Sequence, residues 1–411
     1  MKIFFQTFGC KANQYDTELL RTKMESAGAA SVEGHSDADL CVVNSCSVTA
    51  VADRECRQFV RKLLRENAHA RIVVTGCYAS HAPDELRALS PRVEVYSNEE
   101  KKNLPSCLGF EAAPEVFGLT HFSTRVRAFV KIQDGCKAPC KYCIIPTTRP
   151  NLWNKPVDHV LKEVEALVAD GHGEIVFTGI RLGLYTATHS GGGPRLNLVG
   201  LLRKIVELPG RFRIRLSSLE VTELPDELVD LAAESPKICR HFHIPMQSAE
   251  DGVLKDMGRW YKFEQYARRI ETLQAKLPDC GLTADVMVGF PTETEDAFRV
   301  TAGRIEALGM TGLHVFRYST RPGTAAAALP PLPVEVLQDR AARLIALSES
   351  LAARFRARFS GTFREAVAEP SGLGWTDNYL RVSVPPGARP GELVNVLVNT
   401  SPQAAKNTII A

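Results

Sequence analysis

The sequence predicts an α/β protein with an N-terminal open parallel sheet, a central partial (β/α)6 barrel and a small C-terminal antiparallel β-barrel. Two successive series of alternating strands and helices, separated by a weakly patterned stretch, predict the first two parts. The region after residue 359 has no helical period and carries short alternating runs between turn residues, which predicts the third part. A chain of 411 residues, with 45% hydrophobic and 24% charged residues, fits two or three globular domains.

Residues 1–112 are predicted to form the first domain. The order of strands and helices predicts a parallel sheet with crossover helices. Asp16 is expected to cap the first helix, because Asp is favoured at that position. The expected strands are Lys2–Phe8, Leu40–Val43 and Arg71–Thr75, and the expected helices are Asp16–Ala27 and Val51–Asn67.

Residues 113–125 carry few signals and are interpreted as a linker to a central domain that spans residues 126–333. Six strands with helices between them predict a partial barrel, since a complete one needs eight. The expected strands are Ala128–Ile132, Glu174–Thr178, Arg213–Ser217, His241–Ile244, Ala284–Val288 and Leu313–Tyr318. The expected helices include Val157–Ala169, Phe263–Leu277 and Thr294–Leu308.

One long helix is predicted for residues 334–359, directly after a proline-rich stop, and a small β-barrel for residues 360–411. Leu337, Leu344 and Leu351 recur at seven-residue spacing and define an apolar stripe on the helix. The strands of the β-barrel are expected within Ala366–Ala368, Tyr379–Val384 and Leu393–Val398.

The charge and hydropathy of the chain limit its expected partners and its expected cellular compartment. The net charge is +3, from 50 basic and 47 acidic residues, so the whole chain gives no argument for nucleic-acid binding. No apolar run approaches the roughly 20 residues of a membrane span, and the N-terminal run is too short for a signal peptide. We therefore expect a cytoplasmic protein with no membrane partner. In that compartment, 11 cysteines indicate metal or redox chemistry rather than disulfides.

Three of the cysteines, Cys136, Cys140 and Cys143, lie close together just after the first strand of the central domain. A loop at the carboxyl end of a barrel strand is where β/α barrels place their chemistry. Three thiolates there can hold three corners of a [4Fe–4S] cluster, which leaves one iron open to a substrate. A zinc site is the alternative, but it requires a fourth Cys or His, and none follows within the loop.

A second group of three cysteines lies in the first domain. Cys10, Cys46 and Cys77 each follow one of its three predicted strands, next to small residues that allow close backbone approach. Because the carboxyl ends of parallel strands meet at one edge, we expect these cysteines to converge on a second metal site. The others are interpreted as small buried hydrophobic residues: Cys41, Cys56, Cys107, Cys239 and Cys280.

The spacing of the triplet, with Tyr142 before its last cysteine, resembles that of radical S-adenosylmethionine (SAM) enzymes. The segment Gly173-Glu174 is similar to the one that receives the methionine amino group in that family. Ser218 and Glu220 resemble the polar pair near the ribose and carboxylate, and Asp285–Glu293 is similar to the strand and turn beside the adenine. Taken alone, each segment also fits a barrel strand and its turn. The resemblance implies SAM contacts from Tyr142, Gly173, Glu174, Ser218, Glu220, Gln247 and Gly289.

Nearly the whole chain resembles the methylthiotransferases among these enzymes. The Gly9–Glu18 segment is similar to the branch that acts on N6-threonylcarbamoyladenosine at position 37 of tRNA. The C-terminal domain resembles the small RNA-binding β-barrel called TRAM, with Asp377–Val382 as the matching strand. The other matching motifs are Asn44–Thr49, Gly76–Ala79, Cys140–Pro146, His243–Ser248 and Tyr318–Thr324.

The resemblance also implies a chemistry. A [4Fe–4S] cluster on the triplet would reduce SAM to give a radical, because the C–H bond at C2 of adenine is beyond the reach of side-chain acids and bases. A second [4Fe–4S] cluster on Cys10, Cys46 and Cys77 would carry the sulfur, so both sites must face one cavity. The implied partners are tRNA, SAM and an electron donor such as flavodoxin or ferredoxin.

Three alternatives remain open. They are action on isopentenyladenosine-37 of tRNA, action on an aspartyl residue of ribosomal protein S12, and a non-catalytic iron–sulfur RNA-binding protein. Departures from the family motifs, expected near the substrate mouth, lie at Arg149–Lys155, Arg181 and Ala249-Glu250.

The sequence allows two interpretations of the candidate RNA-binding residues. Trp375 and Tyr379 predict either a base-stacking surface or barrel core. A phosphate track or a solvated helix face is predicted for Arg340, Arg343, Arg354, Arg356 and Arg358.

Overall fold

The computed structural model describes residues 1–110 and 117–399 and the backbone of residues 409–410. The first domain contains a five-stranded parallel sheet in the order β2–β1–β3–β4–β5, which confirms the predicted parallel sheet. Its strands are β1 (Lys2–Thr7), β2 (Ala30–Ser31), β3 (Leu40–Ser45), β4 (Arg71–Gly76) and β5 (Val93–Val95). Its helices are α1 (Lys11–Ser26), α2 (Ala50–Glu66), α3 (Cys77–His81), α4 (Pro83–Arg87) and α5 (Leu104–Cys107).

Helix α1 begins earlier than predicted. Cys10 occupies its N-cap position, and Asp16 lies inside the helix, so the prediction that Asp16 caps the helix is wrong. The Asp16 carboxylate is buried and forms ion pairs with Lys101 at 2.6 Å, with Arg149 at 3.1 Å and with Lys131. A buried carboxylate needs such partners, and the sequence does not show them, because they lie far along the chain.

The central domain contains six parallel strands that follow one another in chain order, as predicted for a partial barrel. They are β6 (Ala128–Lys131), β9 (Glu174–Thr178), β12 (Arg213–Leu216), β13 (His241–His243), β14 (Gly281–Val288) and β15 (Gly312–Arg317). The first three and the last three form separate sheets, which the single-residue bridges Ile214–Ile238 and Ser218–His243 connect. Two antiparallel pairs are inserted in the chain between the strands of the first sheet. They are β7 (Gln133–Asp134) with β8 (Trp153–Asn154), between β6 and β9, and β10 (Thr186–His189) with β11 (Gly192–Asn197), between β9 and β12.

Helices cover the central strands and share one apolar core with them. Part of the predicted linker joins this core, because Leu119 and Phe122 are fully buried in it. Residues 113–116 of the predicted linker lie outside the described residues. The helices are α6 (Ile145–Thr148), α7 (Val157–Ala169), α8 (Leu198–Val206), α9 (Asp226–Glu234), α10 (Asp251–Asp256), α11 (Phe263–Lys276) and α12 (Glu295–Leu308).

The long predicted helix is α13 (Val334–Ala357), and an antiparallel sheet of order β18–β17–β16–β19 follows it. Its strands are β16 (Phe363–Ala368), β17 (Leu373–Thr376), β18 (Arg381–Ser383) and β19 (Leu393–Leu397). Asp377 to Leu380, expected at the start of a strand, form a turn in which Tyr379 has a positive φ of 70°. Strand β20 (Ile409–Ile410) pairs in parallel with β15 rather than with the C-terminal sheet. No helix in the described part of the chain is long and apolar enough to cross a membrane.

The C-terminal sheet packs against the amino end of the central strands. The ring of Tyr379 stacks on His241 at 4.2 Å and on Trp375 at 4.4 Å between ring centroids. Arg213 donates to the carbonyl oxygen of Trp375 at 2.7 Å, and Arg215 donates to that of Thr376 at 2.8 Å. The two aromatic side chains therefore belong to a domain interface, and the base-stacking interpretation is wrong.

The arginines of helix α13 and its C-terminal end bind other parts of the same chain. Arg340 is buried against Glu293, and Arg356 donates to the carbonyl oxygen of Arg381 at 2.7 Å. The more exposed arginines have partners too, since Arg343 pairs with Glu295, Arg354 pairs with Glu306 and Arg358 donates to Pro278. This arrangement does not support a phosphate track.

Candidate active site between two cysteine groups

Three cysteines of the first domain, Cys10, Cys46 and Cys77, follow the ends of three neighbouring strands. Strand β3 lies between β1 and β4, with Thr7 opposite Asn44 and Ser45 opposite Gly76. This register brings Cys10, Cys46 and Cys77 to the same edge of the sheet, as predicted. Cys46 and Cys77 are buried, whereas Cys10 is exposed.

Two asparagines of the sequence motifs fix this edge. The buried side chain of Asn13 donates to the carbonyl oxygens of Phe8 at 3.0 Å and Ser45 at 2.9 Å, so it joins the ends of β1 and β3. Asn44 in turn donates to the carbonyl oxygen of Asn13 at 2.9 Å. Gly9 has a φ of +95°, and a Cβ atom there would lie 2.5 Å from the sulfur of Cys46. Only glycine fits this approach.

The thiols of this edge fit a metal cluster. Burial and the neighbouring Cys10 and Cys77 raise the pKa of Cys46 to about 12. Burial also opposes ionisation of Cys77, but the positive charges of Arg149 and Lys101 outweigh it and lower the pKa of that thiol. All 11 cysteines lie within the described residues and are free. Three converging free thiols with a nearby cation form a donor set suited to iron. Bound iron would stabilise the three thiolates, which otherwise repel one another.

Backbone hydrogen bonds hold the loop of the second cysteine group. The amide of Cys136 donates to the carbonyl oxygen of Arg149 at 3.2 Å, and the amide of Cys143 donates to that of Cys140 at 3.2 Å. Burial, together with Cys140 and Cys136, raises the pKa of Cys143 to about 12. Tyr142 packs in an apolar cluster with Phe290, and its side chain is only partly exposed to solvent.

Arg259 connects this loop to the polar residues predicted beside it. Its guanidinium donates to the sulfur of Cys140 at 3.4 Å and to the carboxylate of Glu220. Glu220 and Ser218 follow the carboxyl end of β12, on the side of the sheet that carries the triplet. Ser218 also forms the parallel bridge to His243. Arg259 is not among the predicted site residues, because it is distant from the triplet in the chain.

Gln247 and Gly289 lie at the same carboxyl edge of the central strands. Gln247 has a φ of 65°, and its amide donates to the carbonyl oxygen of Asp285 at 2.8 Å. The amide of Gly289 donates to Glu293 at 2.9 Å, and a Cβ atom at Gly289 would lie 2.4 Å from Leu337 of α13. One face of Gly289 is therefore covered by that helix.

Contacts between the two domains bring the two cysteine groups to one interface. Arg149 holds the amide of Cys136 with its carbonyl oxygen, while its guanidinium donates to Asn13 at 2.7 Å and lies beside Cys77. On the other side of the interface, Arg321 donates to Ser47, next to Cys46, at 2.6 Å. A single residue, Arg149, thus contacts both groups.

The first domain and the central domain each match a known protein family. Residues 2–97 match the uncharacterized protein family UPF0004, and residues 130–305 match the radical SAM superfamily. The threonylcarbamoyladenosine tRNA methylthiotransferase MtaB of Bacillus subtilis is 36% identical over 92% of this chain and 89% of its own length. The protein of that name in Thermotoga maritima is 34% identical over 89% of this chain and 86% of its own length. This chain belongs to the radical SAM tRNA methylthiotransferase family.

Other members of the methylthiotransferase family carry a different name. The tRNA-2-methylthio-N(6)-dimethylallyladenosine synthase of Corynebacterium diphtheriae is 32% identical over 95% of this chain and 80% of its own length. Among solved structures, the radical SAM methyltransferase TsrM of Kitasatospora setae has a TM-score of 0.56 at 16% identity, covering 79% of this chain and 77% of that one. That likeness shows a shared fold.

Gly173 and Glu174 lie at the wrong end of the sheet for the role that the family resemblance implied. Glu174 begins β9, at the amino end of the central strands, whereas the triplet follows the carboxyl end of β6. The carboxylate is fully buried between Arg213 and Arg215, with bonds of 2.6 to 2.9 Å. The amide of Gly173 donates to the carbonyl oxygen of Gly391, in the turn before β19, at 3.0 Å. The prediction that these two residues contact SAM is therefore wrong.

Arg181 follows the carboxyl end of β9; the sequence predicts it near the substrate mouth but not as a cofactor contact. The amide of Arg181 donates to Gln133 at 2.7 Å, and its guanidinium lies 2.5 Å from Glu223. Burial raises the pKa of Glu223 to about 7, although Arg181 opposes the shift. The position of Arg181 shortly after the end of β9 is the signal that could have identified it.

The departures from the family motifs have structural roles. Arg149 and Lys155 are buried, and Lys155 donates to the hydroxyl of Tyr15 at 2.6 Å and to Glu163, so they join the two domains. Glu250 caps α10 by accepting from the amides of Gly252 and Val253. Arg149, Asn151, Trp153 and Lys155 also line a cavity formed by the first and central domains, so the expectation that this segment lies near the substrate mouth stays a prediction. The cap role of Glu250 does not test that expectation.

The isolated cysteines are buried except one. Cys41, Cys56, Cys239 and Cys280 are inaccessible, as predicted for small hydrophobic residues. Cys107, at the end of α5, is exposed, so the prediction of burial is wrong there.

Replacing Asp16 by Asn is expected to lower the free energy of unfolding by about 3–5 kcal/mol, because buried cations would lose a carboxylate. Burial opposes the charge of Asp16, but Lys101, Lys131 and Arg149 outweigh it and lower its pKa below the ordinary value of 3.8. The stabilisation is thus complete near neutral pH and is lost as the pH falls below about 4.

Urea unfolding at neutral and acidic pH tests this expectation. The Asp16→Asn variant should lose less stability on acidification than the unchanged chain. The exposed Asp37→Asn variant is the control, with an expected change within about 0.5 kcal/mol. Equal unfolding curves for both variants would contradict the role of the buried network.

Proposed function

We propose that this chain adds a methylthio group to C2 of N6-threonylcarbamoyladenosine at position 37 of tRNA. The observation that carries the proposal is the likeness to relatives of that name, at 32–36% identity over most of the chain. Two cysteine groups that meet at one domain interface support it, because the reaction needs both a radical and a sulfur source. The enzyme would act in the cytoplasm on tRNA, with SAM and a donor such as flavodoxin or ferredoxin.

The residues of this chain fit two [4Fe–4S] clusters, one on Cys136, Cys140 and Cys143 and one on Cys10, Cys46 and Cys77. When bound, these groups would supply one-electron reduction of SAM and the sulfur atom, respectively. Arg259 would tune the first site, since hydrogen bonds to cysteine sulfurs shift the reduction potential of a cluster. Ser218, Glu220, Gln247 and Tyr142 would surround SAM on the same edge, and Arg149 would fix the separation of the two sites.

We also propose the domain limits 1–112, 126–333, 334–359 and 360–411, with a TRAM-like C-terminal domain. The family matches at 2–97 and 130–305 support the first two, and the four antiparallel strands support the last. Because Trp375 and Tyr379 face the central domain, any RNA contact of the C-terminal sheet must use its other face.

Mass spectrometry of tRNA nucleosides tests the substrate. Cells that lack the gene should accumulate unmodified N6-threonylcarbamoyladenosine, and the gene should restore the 2-methylthio product, whereas the Cys136→Ser variant should not. Loss of the 2-methylthio group from isopentenyladenosine instead would assign the substrate of the dimethylallyladenosine relatives. Unchanged tRNA with an altered ribosomal protein S12 would assign the protein substrate. A lack of change in both, together with a lack of SAM cleavage, would favour a non-catalytic binding protein.

A further inference from the structure

We propose that His121, Asp170 and His172 form a binding site for a divalent late first-row transition metal such as Zn²⁺, separate from both cysteine groups. One ligand atom from each residue lies within 4.8 Å of the others. The site lies at the amino end of β9, where the turn after α7 meets the segment that precedes β6. The triplet lies at the opposite end of these strands.

The hydrogen bond of His172 determines which of its nitrogens is free. Its Nδ1 lies 2.8 Å from the carbonyl oxygen of Val126, and because a carbonyl can only accept, Nδ1 carries the proton. A backbone carbonyl that orients the second nitrogen in this way is the usual support of a metal-binding histidine. The lone pair of Nε2 is then available at the site.

A bound cation would provide the partner that the Nε2 atom of His172 lacks among the described residues. His172 is more than nine-tenths buried, and its Nε2 makes no hydrogen bond within the described residues, although it lies 3.3 Å from Asp170 Oδ2. A nitrogen lone pair and a carboxylate oxygen at this distance repel each other unless a positive charge binds both. The Nδ1 atom of His121 forms a hydrogen bond of 2.6 Å with the same oxygen, so two imidazoles converge on one carboxylate, and a metal ion would replace the proton of this bond.

The helix adds to the negative potential at Asp170. Asp170 is the C-cap residue of α7, and the last turn of that helix contains no basic residue. The carboxyl end of a helix dipole disfavours a carboxylate, and a bound cation would compensate both charges.

Two imidazoles and one carboxylate suit zinc, and the 64% exposure of the His121 side chain leaves room for a water as fourth ligand. Such an ion would connect the turn after α7 to the segment that precedes β6, and this segment contacts the first domain. Two and three residues after His121, the side chains of Ser123 and Thr124 donate to Glu18 of the first domain at 2.9 and 2.8 Å. The metal would thus fix this segment against the central sheet.

The second histidine group of the central domain does not show the same need. That group consists of His243, Asp285 and His314. His243 Nδ1 bonds to Thr283 at 2.9 Å, and His243 Nε2 and His314 Nδ1 lie 3.0 and 3.3 Å from the same oxygen of Asp285. Both nitrogens of the buried His243 therefore have protein partners, unlike those of His172.

The test uses the enzyme with its iron–sulfur clusters reconstituted, so that the six ligand cysteines are occupied. Zinc is added, loosely bound metal is removed by gel filtration, and bound zinc is measured together with its X-ray absorption spectrum. We expect about one zinc per chain, with nitrogen and oxygen ligands near 2.0–2.1 Å. The exposed variants His121→Ala and Asp170→Asn should weaken zinc binding by at least about tenfold, with unchanged iron content and SAM cleavage.

His35→Ala is the matched control, because this histidine pairs with one carboxylate, Glu66, at 2.9 Å and lies outside the proposed site, so zinc binding should remain unchanged. Zinc should raise the melting temperature of the unchanged enzyme and of this control, but not that of His121→Ala. Sulfur ligands near 2.3 Å, equal zinc affinity in all variants, or no bound zinc would overturn the proposal. The last result would identify a histidine–aspartate ion pair. Because these readouts do not depend on the tRNA reaction, they can fail without affecting the proposed function.

Discussion

Replacing Cys136 by Ser is expected to abolish SAM cleavage, whereas replacing Cys10, Cys46 and Cys77 together is expected to preserve cleavage and abolish methylthio transfer. The reason is the separation of the two groups, one at the carboxyl end of β6 and one at the edge of the β1–β3–β4 sheet. The intact protein, purified without oxygen, should bind about eight irons, and each variant should lose about half of them.

The measurements are iron content, 5′-deoxyadenosine under reducing conditions, and methylthio product on tRNA. Cys107→Ser is the exposed control, and Cys280→Ala is the buried one. The exposed control should behave like the unchanged protein, and the buried one should lose roughly 1 kcal/mol of stability without loss of iron. Production of 5′-deoxyadenosine by Cys136→Ser would refute the role of the triplet. Full methylthio product from the triple variant would refute the role of the first group.

The two cysteine groups could be predicted from the sequence because the signals are local. A short apolar run predicts a strand, and a cysteine directly after it lies at the strand's carboxyl end. Parallel pairing then brings Cys10, Cys46 and Cys77 to one edge. The same reasoning, applied strictly, would have pointed to Arg181 rather than to Glu174, because Glu174 begins its strand.

The features that could not be predicted from the sequence depend on contacts between residues far apart in the chain. Lys155 donates to Tyr15, and Arg149 donates to Asn13, across a domain interface. The hydrophobic periodicity of the sequence does not predict this interface. The sequence of the Gly9–Glu18 segment does not show the partners of its polar residues. The structure shows that Asn13 joins strand ends and that Asp16 neutralises buried cations. Charge runs were equally ambiguous, since the partners of the α13 arginines lie elsewhere in the chain.

The Glu174→Gln variant is expected to lose about 3–5 kcal/mol of stability, because Arg213 and Arg215 would remain buried without a counter-charge. Both guanidiniums are almost inaccessible and also donate to backbone carbonyls of the C-terminal sheet. The loss would therefore weaken the contact between that sheet and the central strands. Since small proteins and domains are stable by only about 5–15 kcal/mol, we expect a large fall in the urea midpoint.

This variant separates two roles for the same residue. A carboxylate that bound the methionine amino group would leave stability intact when replaced and would weaken SAM binding. The structure places Glu174 at the far end of the strands, so the folded fraction of Glu174→Gln should still cleave SAM at the normal rate per folded molecule. Glu165→Gln, at an exposed position of α7, is the control and should change stability by less than about 0.5 kcal/mol. Deleting residues 361–411 should be at least as destabilising as Glu174→Gln, because it removes the carbonyls that Arg213 and Arg215 bind and uncovers His241. Normal stability of Glu174→Gln with lost SAM affinity would restore the cofactor role.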